Sequence, residues 1–189
     1  MNSNICFIDF ETSGIDIYKD SPIEIGAVLI DSSGNFISEF HSYIKPRTKR
    51  NFTRASIEIH GIQPETVLNA PTQKAVLNDF FTSFGNDFRF GGWNVNFDVS
   101  FFKSMCHYSN MMRKFKKINH RHLDVQSINY LLNHLGVFNG ELNSLSDLCQ
   151  YFSITRSNNH SAIEDAKLTA QVYFKMVNIL KEKIAQSPI

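Results

Sequence analysis

The sequence predicts an α/β sandwich around a mixed sheet, from three observations. The chain opens with three extended segments, the second and third joined by a tight turn cluster. Helical and short extended patterns then alternate. A long amphipathic helix closes the chain.

The first extended segment is Ile5-Cys6-Phe7-Ile8-Asp9-Phe10-Glu11-Thr12-Ser13-Gly14, an apolar strand running into a glycine-punctuated turn. Ile23 to Ile30 reads as the second strand. Asp31-Ser32-Ser33-Gly34-Asn35 is a turn, and Phe36 to Ile44 alternates as a third strand, antiparallel to the second. Five basic residues follow between Lys45 and Arg54. Ile57 to Ile62 reads as a short helix closed by Gly61. Pro71 reads as the opening of a helix with Leu77, Phe80, Phe81 and Phe84 on one face. Phe88-Arg89-Phe90-Gly91-Gly92 is a short strand, and Asn94 or Asn96 caps a helix carrying Phe97, Phe101, Phe102 and Met105. A second stretch, Arg113 to Arg121, again holds five basic residues. His122 to Val125 ends a strand and leads into a helix through Leu131 and Leu135. A short helix lies within Leu142 to Phe152. Ala166, Ala170, Tyr173, Val177, Leu180 and Ile184 then mark the closing helix by their spacings of four and three.

A chain of 189 residues fits a single domain spanning 1–189 with a substantial core, which its seventeen phenylalanines fill with rings. With 42% hydrophobic and 20% charged residues, the composition is that of a soluble globular protein. A net charge of +1 confines any polyanion site to local patches, such as the two basic stretches. Cys6, Cys106 and Cys149 form no CxxC pair, so the expectation is reduced, buried thiols in a cytoplasmic protein without structural zinc. The sequence reads as having no signal peptide, and no apolar run is long enough to span a membrane.

The chemistry starts from side-chain direction. Residues two apart in a strand share a face, so Asp9 and Glu11 present two acids to one spot while Ile8 and Phe10 face away. Such a pair needs a cation, a proton or open water. Asp98 falls in the first turn of a helix that follows a glycine-bent strand end. Ser161 and Glu164 make a capping-box signature, which starts the last helix at Ala162 and leaves His160 just outside it. Inside one helix, residues five apart lie about 140° apart. With His160 ahead of the cap, it and Asp165 can reach one cleft. Four carboxylates (Asp9, Glu11, Asp98, Asp165) and one histidine thus gather at strand ends and helix starts, where open α/β sheets place their sites. An all-oxygen donor set suits Mg²⁺ or Mn²⁺. Two such ions can activate a water and stabilise the leaving oxygen of a phosphodiester, with His160 taking the proton.

Asp9-x-Glu11 with Thr12-Ser13-Gly14, Asn94-x-x-Phe97-Asp98, and His160-x-x-x-x-Asp165-Ala166 resemble the three motifs of the DEDD superfamily, histidine branch. These are the DnaQ-like 3′–5′ exonucleases, among them proofreading subunits, ribonuclease T and oligoribonuclease. Ile59-His60-Gly61-Ile62 resembles a segment between their first two motifs. The resemblance runs from Ile5 to about Tyr173. It implies a ribonuclease H-like fold with a mixed five-stranded sheet, and two Mg²⁺ or Mn²⁺ ions on Asp9, Glu11, Asp98 and Asp165. It also implies His160 and Glu11 as catalytic residues, and Thr12, Gly14, His60 and Asn94 as contacts to the 3′ end of single-stranded DNA or RNA. Trp93 departs from it, standing where many relatives have histidine.

A silent nucleic-acid-binding or polymerase-docking module on the same fold is the alternative. Loss of any of the four acids or of His160 would favour that alternative, and none is lost. The chain's end soon after the last helix points to a free-standing or self-paired enzyme rather than a polymerase partner.

Overall fold

A computed structural model describes residues 3–47, 57, 58, 60–156 and 161–186. Five strands form one sheet in the order β3-β2-β1-β4-β5, with β1 Asn4–Thr12, β2 Pro22–Ile30, β3 Phe36–Tyr43, β4 Phe88–Gly92 and β5 Asn119–Asp124. The pairs β1–β2 and β2–β3 are antiparallel, and β1–β4 and β4–β5 are parallel. The mixed five-stranded sheet is therefore as expected, with β1 at its centre.

Seven helices are seen among the described residues: α1 Pro64–Leu68, α2 Gln73–Phe84, α3 Val95–Tyr108, α4 Met112–Phe115, α5 Val125–His134, α6 Leu145–Tyr151 and α7 Ala162–Gln186. Residues 57, 58 and 60 are helical too, within the short helix expected at Ile57 to Ile62. Pro64 and not Pro71 stands at a helix start. Thr72 caps α2, its hydroxyl accepting from the Ala75 amide at 3.3 Å.

Period-two alternation divides the core into two layers. Cys6, Ile8, Phe10, Ile25, Ala27 and Leu29 face α2 and α3. Ile5, Phe7, Val28 and Ile30 face α5, α6 and α7. The ring-filled core is real in the first layer: Phe80 packs on Phe84 and Phe102 with centroids 5.0 Å apart, and Phe90 lies 5.1 Å from Phe102. All three cysteines are free and buried. Among the described residues no helix is long and apolar enough to cross a membrane.

Helix α7 departs from the expected stripe at its far end. Ala166 and Ala170 are buried as expected, but Ile184 is 72% exposed. Twenty-five helical residues span about 37 Å at 1.5 Å per residue. That overruns a nine-residue strand of about 30 Å, so the last turns pass the sheet edge. Leu131 and Leu135 of the α5 region are likewise exposed.

The start of α7 sits directly on β2. A Cβ built on Gly26 would lie 2.1 Å from the Ala162 carbonyl carbon and 2.1 Å from the Ile163 amide nitrogen, closer than any side chain allows. Gly26 is therefore the seat of α7. Gly26→Ala should cost about 1–3 kcal/mol, the usual range for overpacking, measured by urea unfolding. Wild-type stability in that variant would contradict the seating.

Candidate active site

Asp9 and Glu11 stand on one face of β1, opposite Gly26 and Glu24 of β2 in the cross-strand register. Because Asp9 faces Gly26, the seat of α7 lies beside Asp9. Asp165 is in the first turn of α7, its amide donating to the Ser161 carbonyl at 3.0 Å. The Ser161 hydroxyl accepts from the Glu164 amide at 3.5 Å, and the helix starts at Ala162, as the capping signature indicates. His160 lies outside the described residues.

Asp98 arrives from the other layer. The β1–β4 pairing ends at Phe7 and Gly91, after which β4 turns through Gly92 into α3. The Phe10 amide, beyond that pairing, donates instead to Asp98 Oδ1 at 3.0 Å. Only 3% of Asp98 is exposed. A Cβ at Gly92 would come 3.0 Å from the Ile8 carbonyl oxygen, so this glycine permits the close turn.

The electrostatics show that the acids share one environment. Burial raises Asp9 well above the usual carboxylate range, and the charges of Asp98, Glu11, Asp165 and Glu24 raise it further. Glu11 is pushed up to about 7 by burial, then by Glu24 and Asp165. Burial also raises Asp98, against the lowering effect of the Phe10 amide. The fourth acid is compensated differently: one Arg156 nitrogen lies 2.9 Å from Asp165 Oδ1 and 3.0 Å from Oδ2, while another donates to Ser146. Among the described residues, no three acidic, imidazole or thiol groups stand in ready cation-holding geometry. The donor set nevertheless fits a hard cation, being carboxylate oxygen throughout and short of positive charge.

Thr12 Oγ1 donates to the Gly14 carbonyl at 2.7 Å, and the loop is tied back by the Ser13 amide on the Ser21 carbonyl at 2.9 Å. A Cβ at Gly14 would meet the Asp20 carboxylate. Asn94 heads α3 as expected, but in the left-handed conformation with φ 57° and without a side-chain cap bond; its side chain is exposed. Trp93 packs against the layer under α5–α7. His60 is buried, and its Nδ1 accepts from the Ile62 amide at 3.0 Å. The neutral ring therefore carries its hydrogen on Nε2, which finds no partner among the described residues. Burial lowers the His60 pKa, partly offset by Glu24. Asp124 caps α5, accepting from the Ser127 amide at 3.3 Å, and also accepts from the Val95 amide at 3.3 Å. Of the first basic stretch, Lys45 and Arg47 are described, and Arg47 lies over the Tyr108 ring at 3.4 Å. Sequence reasoning missed Arg156, for which a loop position gives no signal. It also missed Glu24, whose signal was a lone acid in an apolar strand.

The RNase T exonuclease family model matches residues 6–173. The chain is 31% identical over 185 residues to DNA polymerase III subunit epsilon of Rickettsia prowazekii, covering 90% of this chain and 77% of that one. It is 30% identical over 181 residues to the PolC-type DNA polymerase III of Thermotoga petrophila; this covers 96% of this chain but spans only 12% of the relative's length. In fold it resembles E. coli exonuclease I in complex with a dT13 oligonucleotide, with TM-score 0.78 and 22% identity, over 96% of this chain and 42% of that one.

The raised acid at Glu11 gives a pH signature. Across the interval from 4.5 to about 7 the folded protein holds this proton and the unfolded chain does not. Stability in chelator must therefore fall as pH rises through it. His60 and His122, both lowered by burial, act in the opposite direction just below pH 6.5. Glu11→Gln isolates the carboxyl. Its unfolding free energy should match wild type near pH 4.5 and exceed it above pH 7. The gain should be at most about 3 kcal/mol, less where water screens the side chain. A pH-independent difference between the two would contradict the assignment.

Proposed function

Because the chain belongs to the RNase T exonuclease family, we propose that it is a divalent-metal-dependent 3′–5′ exonuclease acting on single-stranded nucleic acid. The observation that carries this reading is the convergence of Asp9, Glu11, Asp98 and Asp165: Asp9, already raised by burial, is raised further by the charges of the other three. Asp9, Glu11, Asp98 and Asp165 would hold two Mg²⁺ or Mn²⁺ ions. When bound, those cations activate the attacking water and stabilise the leaving 3′ oxygen.

The chain's own residues orient and deprotonate. Asp9 and Glu11 are fixed by the pleat of β1, and Asp98 is fixed by the Phe10 amide. Arg156 must release Asp165 for that acid to ligate. His160, next to the Ser161 cap, takes the proton of the water that attacks phosphorus. The bond from phosphorus to the 3′ oxygen breaks, releasing a nucleoside 5′-monophosphate, and the leaving oxygen takes a proton from solvent to become the 3′-hydroxyl of the shortened strand. The Nε2–H of His60, buried and without a partner among the described residues, would donate to a terminal phosphate or sugar that reaches it. Asn94, exposed and free of a capping role, and the Thr12–Gly14 loop are the further substrate contacts.

The DNA polymerase III relatives favour DNA over RNA as substrate and make a polymerase a candidate partner. A silent docking module is the second reading, favoured by the Arg156 guanidinium on both oxygens of Asp165. End-labelled single-stranded DNA and RNA, incubated with Mg²⁺ or Mn²⁺, separate the two. Mononucleotides should leave from the 3′ end, DNA should be cut faster, and chelator should abolish turnover. Cuts within a circular single strand, or no turnover with cation, would overturn the proposal. His160→Ala should lose about 10²–10⁴ in rate, the usual worth of a positioned general base, while keeping its Mn²⁺ affinity in calorimetry.

A further inference from the structure

Glu24 lies in β2, every residue of which is buried, and is itself only 2% exposed. The register sets it directly opposite Glu11 on one side and Tyr43 on the other. Residues so paired share a face with Cβ atoms about 4.5–5.5 Å apart, and like charges there are destabilising. His41 Nε2 donates to Glu24 Oε1 at 2.6 Å. His41 in turn stands opposite Gly26, which stands opposite Asp9. The pair is thus built into the face that carries Asp9 and Glu11. Fold stability alone gives no reason for a buried acid against Glu11.

We infer that Glu24, hydrogen-bonded to His41, is a fifth carboxylate beside the cation site that strengthens cation binding through its charge and not by ligation. This rests on the cation reading of the four acids. Its charge bears on Asp9, Glu11 and His60 alike, raising each, while Oε1 is occupied by His41. Glu24→Gln keeps the shape and an oxygen for His41 but removes the charge.

The test is calorimetric titration of the metal-free protein with Mn²⁺, paired with thermal unfolding of the same samples. Glu24→Gln should weaken Mn²⁺ binding by about tenfold or more, since a full charge is lost a short distance from a dication. Its metal-free melting temperature should equal or exceed wild type, because the repulsion with Glu11 is relieved. His41→Ala retains the Glu24 charge and should not weaken Mn²⁺ binding. A Glu24→Gln protein with wild-type affinity overturns the inference alone, as does an equal loss of affinity in His41→Ala, which would mark the pair as a packing unit. A wild-type protein that takes up no Mn²⁺ overturns the cation reading and the inference together.

Discussion

The structure depends on one electrostatic constraint: several carboxylates are drawn together at the end of the central strand with little positive charge to meet them. Asp9, Glu11 and Glu24 share a sheet face, and Asp98 and Asp165 are added from two helix starts. Burial makes Asp9, Glu11 and Asp98 harder to ionise, and the neighbouring acids compound the effect. A protein selected for stability alone would replace such a cluster with apolar side chains. On the reading proposed above, a cation compensates the cluster in the working state. In this structure Arg156 meets part of that need at Asp165, and the Phe10 amide part of it at Asp98.

Backbone features then make the cluster possible. The β1–β4 pairing ends early, which frees the Phe10 amide for Asp98. Gly26 has no side chain, so the first turn of α7 can lie on β2 beside Asp9. The Ser161 cap fixes where that helix begins and so which residues fall in its first turn. Two layers of core, one of them dense with phenylalanine, hold the sheet rigid behind these contacts.

Much of this is legible in the sequence because it follows from local periodicity. A period of two puts Asp9 and Glu11 together and sends Ile8 and Phe10 to the opposite core layer, as in the folded chain. The capping signature locates the start of α7 to the residue. Other features depend on tertiary approach and leave no local trace. Gly26 looks like an ordinary strand glycine until α7 is seen against it. Glu24 is visible as an odd acid, but its meaning needs the β1–β2 register and the His41 partner on β3. Asn94 has the chemistry of a capping residue, yet the sharp turn from β4 forces it into the left-handed region, which asparagine tolerates. The exposed end of α7 escapes a periodic reading because amphipathicity does not report where a sheet stops.

Cations are thus expected to supply the charge that the carboxylates lack. The most direct measurement of this is calorimetric titration of Mn²⁺ into metal-free protein near pH 6.5, repeated in buffers of different ionisation enthalpy. Glu11, raised to about 7, is largely protonated there, so cation binding should expel protons to the buffer. Two ions should bind per chain, with proton release that falls as pH rises to about 8, because Glu11 is by then largely ionised. Binding without proton release at either pH, or no saturable binding, would contradict the claim that cations complete this site.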